Sequence, residues 1–303
     1  MNTNPLLDFS DLPLFASIQP SHVAQAVDTL IGQSQIALNK VTAPDFPADW
    51  KNLSATLDVQ TEKLSRAWGA VSHLNSVADT PELRAAYNEK LAAVSEFYTA
   101  LGSDERLFAK YKAIDVAALN AEQKKAHSNA LRGFRLGGAE LLGGAKERFA
   151  AIQTRLSELS QKFSENTLDS TEAFAYFASE EELAGLPDDV KSTAKQLAEK
   201  DGQPGYKLTL KMPCYLPVMQ YAKSSALRKT LYMAHNTRAS ELFERGKFDN
   251  TPLMREILAL RQEESKLLGY KNFAQVSLVP KMANSPDEVV GFLRDLGKRA
   301  KPF

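Results

Sequence analysis

Four histidines and one cysteine are the side chains of this 303-residue chain best suited to metal or nucleophilic chemistry. A hydrolytic zinc helix places two His at i and i+4 on one face and a Glu between them to activate water. His22, His73, His127 and His235 stand far apart, and none begins such an HExxH run. A zinc ligand is conceivable at His235, on an inward helix face, but no second ligand is near in sequence, so His235 and His73 are expected as histidines satisfied by hydrogen bonds. His22 is expected in a first helical turn, and His127 on a polar face beside Lys124 and Lys125. Cys214 lies between Pro213 and Pro217 with no His nearby in sequence. A nucleophilic thiol needs a base and a lowered pKa, so Cys214 is read as a structural thiol.

The carboxylates are equally quiet. Glu180, Glu181 and Glu182 follow Ser179 and suit the positive end of a helix. Glu263 and Glu264 lie beside Arg261 and Lys266, the pattern of a solvated helix face. Arg228 and Arg238 could clamp a peptide carboxylate, but an ion pair or a helix-end contact is the simpler use. GFRLGGAELLGG, residues 133–144, is glycine-rich yet lacks the GxxxxGK[ST] order and a preceding strand. It is expected to connect helices. These residues therefore assign no catalytic, cofactor-binding or metal site.

The elements that would carry such groups are mostly helices. The expected class is mainly α, a multi-helix lobe with a small two-stranded β-ribbon. Helices are expected from Ser21 as N-cap to about Val41 and, after a Pro-containing loop, to about Val77. Thr80-Pro81-Glu82 starts another, running to Gly102. Shorter helices follow at Glu105 to Ile114 and Ala121 to Arg132, then a long one from Ala145 to about Ser170. Phe174 to Ala178 and Tyr206 to Met212 alternate in period two and are expected to pair antiparallel, with 180–200 inserted as a helical excursion. Asn250 and Gly269 bracket a further helix. Ser285-Pro286-Asp287-Glu288 reads as a capping box for the last. Its apolar positions Val289, Phe292 and Leu296 need a covering surface, which a later part of the fold or a second copy would supply.

Bulk composition narrows the partners. Lys plus Arg equals Asp plus Glu, 37 each, so nothing favours nucleic acid or an anionic membrane. One cysteine excludes an internal disulfide framework and suits a reducing compartment. The first residues lack a basic n-region and a long apolar core. A cytoplasmic protein is expected.

Longer segments carry a resemblance. YLPVMQYA, LRKTLYMAHNTRAS and ILALRQEESKLLGYKNFAQVSLVPKMANSPDEVVGFL resemble the thimet oligopeptidase and oligopeptidase A family of zinc metallopeptidases. NPLLDFSDLPLFASIQPSHVAQAV, VSHLNSV and RLSELSQKFSENTLDST look like its oligopeptidase A branch. The resemblance implies a mostly helical, two-lobed enzyme that cuts short peptides in a channel, with an HExxH zinc site. This chain lacks that motif, which implies an N-terminal, channel-wall lobe, inactive alone and without zinc of its own. Residues 1–150 would form an N-terminal helical region. Residues 151–303 would hold the long helix, the ribbon and the following helices, with the family's catalytic region starting near 223. The alternative is a stand-alone helical scaffold or a peptide- or protein-binding module.

Overall fold

A computed structural model describes residues 4–303, and the chain is mainly α with one small ribbon. It divides into two units. One comprises residues 1–158 and 259–303, the other residues 159–258. Residues 1–19 read from sequence as an extended arm with apolar anchors at Leu6, Leu7, Phe9, Leu14 and Phe15, and the part on residues 1–3 lies outside the described residues.

In the first unit the arm makes two 3-10 turns, Pro5–Leu7 and Phe15–Ser17. Leu6 is its buried anchor, whereas Leu14 and Phe15 remain exposed. Helix α1 (Pro20–Thr42) buries Val23, Val27, Leu30, Leu38 and Val41. It starts one residue before the expected cap. Pro20 has the φ of a first helical turn and no N–H to satisfy, so Gln19 becomes the cap and His22 Nδ1 accepts its backbone N–H at 3.0 Å. Helix α2 (Trp50–Leu53) passes through one π turn (Ser54–Asp58) into α3 (Val59–Val77). The single helix expected there is therefore interrupted by a wider turn, and Leu53, Leu57 and Leu64 all still face inward.

Helix α4 (Pro81–Gly102) begins as expected: the Thr80 hydroxyl accepts the Leu83 N–H at 3.2 Å. α1, α3 and α4 share one apolar cluster, in which Trp68 stacks on Tyr87 at 4.5 Å. Helices α5 (Glu105–Lys112) and α6 (Ala121–Leu136) close a second cluster around Leu107, Phe108, Tyr111 and Phe134 against the far end of α1. α6 runs four residues past the expected stop. The glycine-rich stretch then earns its composition by close approach. A Cβ on Gly137 would lie 2.6 Å from the Gly102 carbonyl oxygen, and Gly138 turns the chain at φ +85°.

Helix α7 (Gly144–Ala173) leads into the second unit. There β1 (Tyr176–Ala178) pairs antiparallel with β2 (Tyr206–Leu208), Tyr176 opposite Leu208 and Ala178 opposite Tyr206. The pairing agrees with the alternation, but the strands are shorter than expected. α7 persists through Ala173, and Pro213 seeds α9 (Met212–Tyr221) where the second strand was expected to continue. The inserted helix, α8 (Asp188–Lys200), starts after Pro187; residues 180–185 form turns instead of its first part. α10 (Ser225–Asn236) completes a core of Leu183, Leu208, Val218, Leu227 and Leu231.

Helix α11 (Thr251–Leu267) returns the chain to the first unit. Then come α12 (Phe273–Leu278) and α13 (Pro286–Ala300). Ser285 caps α13, its hydroxyl accepting the Glu288 N–H at 3.1 Å. Glu288 closes the motif one residue earlier than a standard box, on the Asn284 backbone N–H at 2.8 Å.

Candidate functional site

The singled-out residues lie in several separate environments. Cys214 is half-buried at the start of α9, where its Sγ accepts the Thr209 N–H at 3.3 Å. Burial pushes the thiol pKa up, which opposes nucleophilic use. It borders a cleft of about 330 Å³ within the second unit. One wall is the polar side of the second strand and its continuation, Lys207, Thr209 and Lys211; the other is Val190, Thr193, Ala194 and Leu197 of α8. Lys211 already pairs with Glu172 at 2.8 Å, and Lys207 with Asp201.

His235 was expected to be held by hydrogen bonds. Its ring instead stacks on Tyr215 at 4.0 Å and 12°. Burial, then the nearby Arg238 charge, lower its pKa. The stacked imidazole therefore favours its neutral form. His73, likewise expected to be held by hydrogen bonds, is instead exposed and meets Phe15 edge-on at 5.5 Å. His127 corrects its expected place on a polar face. It is buried, with Nε2 2.8 Å from the Tyr111 carbonyl oxygen. The lysines beside it in sequence point elsewhere on α6, and the helical turn brings His127 round to the core.

The arginines serve helix ends. Arg228 donates from Nη1 to the carbonyls of Ala222 and Lys223. Arg238 Nε donates to the His235 carbonyl at 2.9 Å and Nη1 to Thr171 Oγ1 at 3.0 Å. Glu182, expected at a helix start, is spent on the ribbon. It accepts from Tyr176 Oη at 2.6 Å and from the Ser179 N–H at 2.8 Å. The Tyr176 bond is the main reason its pKa falls.

Glu263 and Glu264 differ sharply, and the expectation of one solvated face is corrected for Glu264. Glu263 makes a bidentate pair with Arg148, at 2.6 and 2.7 Å. Glu264 is buried, accepts from Gln153 Nε2 at 3.1 Å, and leaves Oε2 without a partner. Burial raises its pKa. Asn250, read only as a helix boundary, is fully buried in the second unit. It donates to the Phe163 carbonyl at 3.0 Å and accepts from Asn166 Nδ2 at 2.8 Å. Its position just before an apolar-patterned helix signalled a cap, not a buried bridge to α7.

Among the described residues, no three His, Cys, Asp or Glu side chains gather where they could hold a metal ion. The donors present do not suit zinc. One His caps α1, two lie against aromatic rings and one is bonded to a backbone carbonyl. No helix of the described residues is long and apolar enough to cross a membrane.

Comparison with known proteins supplies what this geometry leaves unassigned. Residues 27–146 match the family model described as Neurolysin/Thimet oligopeptidase, N-terminal domain, and residues 218–303 match that of Peptidase family M3. Oligopeptidase A of Salmonella typhimurium is 45% identical over 99% of this chain, and that of Escherichia coli 44% over the same share. In each case the chain covers 45% of the relative. The "Probable cytosolic oligopeptidase A" of Arabidopsis thaliana is 36% identical over 97% of the chain and 43% of the relative. The chain thus spans less than half the length of these relatives. Two matched segments and an identity sustained from end to end lead to one placement: the chain belongs to the oligopeptidase A-like members of peptidase family M3.

Proposed function

We propose that this chain is the N-terminal, channel-wall lobe of a cytoplasmic zinc metalloendopeptidase that hydrolyses short peptides. The observation that carries the reading is the 45% identity to an oligopeptidase A along 99% of the chain, over only 45% of the relative. The match to an N-terminal domain model over 27–146 supports the choice of lobe. Residues 1–150 are the helical wall, and the catalytic region of the family starts near 223 within 151–303. The scattered donors of this chain do not fit zinc, so the metal and its HExxH ligands belong to the part of the relatives that this chain does not cover. This lobe restricts access and contacts peptide, and zinc-assisted attack of water on the scissile carbonyl takes place outside it.

The test uses a quenched fluorescent peptide. The 303-residue chain should give no chelator-sensitive turnover, and a chain extended to the relatives' length should give it. Turnover by the short chain, free of contaminating peptidase, would overturn the assignment of the chemistry to the other half. Inactivity of both would favour the alternative, a helical binding module.

A further inference from the structure

We propose that the cleft between α8 and the second strand binds a small amphiphilic carboxylate, an apolar body ending in one carboxyl group. The inference goes beyond the peptidase reading and does not rest on it. The site is made by one internal stretch, residues 189–214, folded back on itself within the second unit. Both walls come from that stretch, so the concavity does not arise from where the chain ends. The stretch also lies outside both family-matched segments, 27–146 and 218–303. Val190, Ala194 and Leu197 stand at i, i+4 and i+7 of α8 and form one apolar wall. Lys207, Thr209 and Lys211 line the other, alternating with Leu208 and Leu210, which are buried in the core. The frame is tied at both ends. Lys207 pairs with Asp201 at the C-cap of α8, and the Thr209 N–H donates to Cys214 Sγ at the start of α9. A preformed, mostly apolar concavity with a few polar groups is the usual form of a small-molecule site, and about 330 Å³ is at the lower end of the range. At about 30 Å³ per water-sized group it holds roughly ten non-hydrogen atoms.

Charge selects the ligand. The lining carries two lysines against one carboxylate, the exposed Asp189 in the first turn of α8. Lys207 is used in the frame. Lys211 pairs with Glu172 at 2.8 Å, but both side chains are half-exposed, and such a screened pair contributes little. The Lys211 ammonium has further N–H donors, so it meets a ligand carboxylate without leaving a buried charge uncovered. Lys211 therefore takes the head group, and the apolar body lies along the α8 wall. Two sources share this chemistry: a short fatty acid, and the free C-terminal end of an apolar amino acid or peptide.

Isothermal titration calorimetry with octanoate should show one site, both on the 303-residue chain and on a chain extended to the relatives' length. Octan-1-ol, the same body without the carboxylate, should bind about tenfold more weakly. Lys211→Met should weaken octanoate by a similar factor, as expected for one lost charge-assisted hydrogen bond. Thr193→Trp, at an exposed position on the cleft wall, should block binding. Circular dichroism of both variants should match the parent. Cys214, the only cysteine of the 303 residues, reports position: saturating octanoate should slow its alkylation, read on its own peptide by mass spectrometry. N-acetyl-leucine distinguishes the sources, since tighter binding than octanoate identifies a peptide end and weaker binding a fatty acid. No binding of either carboxylate, equal binding of octan-1-ol, or Cys214 alkylation unchanged by octanoate overturns the proposal. So does binding to the 303-residue chain that is lost in the extended one, which would show the chain's own continuation filling the cleft. Peptide turnover is measured separately, so its failure and that of the cleft are distinguishable.

Discussion

Glu264 shows how two adjacent residues of one type diverge. Glu263 reaches Arg148 on α7 in a solvent-screened surface pair, the kind that contributes little to stability. Glu264, one position round the helix, turns inward with Leu260 and Ser265 and keeps one carboxylate oxygen unpaired. Burial dominates its raised pKa, over the opposing effects of the Gln153 bond and Arg261. A carboxyl whose folded pKa lies above its unfolded value binds more protons in the folded state. Its favourable contribution is then full below the unfolded value, 4.5, and is lost as pH rises through the folded value. Glu264→Gln should therefore be more stable than the parent near neutral pH, with the difference shrinking to nothing in acid. Urea titrations at several pH values measure this. A variant destabilised equally at all pH values would show that the charge is not the issue.

At the scale of elements, the β-ribbon depends on its closing turn. Gly205 has φ +84°, and a Cβ there would lie 2.6 Å from the Ala178 carbonyl oxygen at the end of the first strand. Gly205→Ala meets both a left-handed backbone and a backbone clash, each of order 1–3 kcal/mol. The expected outcome is a loss of about 2 kcal/mol or more in chemical denaturation, with hydrogen-exchange protection falling first in Tyr206–Leu208. A two-stranded ribbon has little reserve of its own, and this one persists because Leu208 and Ala178 sit in the α8–α10 core. An unchanged midpoint would mean that the helices alone hold the strands in register.

For the whole molecule, donor distribution gives the prediction. Four histidines each have a local use, and the thiol is half-buried with a raised pKa. Elemental analysis of the dialysed chain should find well under one zinc equivalent. A full equivalent with N/S coordination would refute the assignment of the metal to the other half of the relatives' length. Apolar exposure is uneven as well: Tyr232, Met233, Leu242, Leu258, Phe292 and Leu296, all within the M3-matched segment, are half or more exposed.

The amino-acid sequence by itself determined the helical class, the ribbon pairing, the family and the helix starts at Thr80 and Ser285. Those signals are local: hydrophobic period, cap chemistry, proline's fixed φ and long matched segments all lie within short stretches of chain. Element ends were less legible. Pro213 could end a strand or begin a helix, and α6 carries Gly133 within it and ends only at Leu136, before the Gly137 cap. Tertiary structure alone decided which polar side chains are buried. His127, Asn250 and Glu264 sit among charged or polar neighbours in sequence, and each turns inward to partners at Tyr111, Phe163 and Gln153. Burial is set by what packs on a helix face from distant chain, and no spacing within the helix records it.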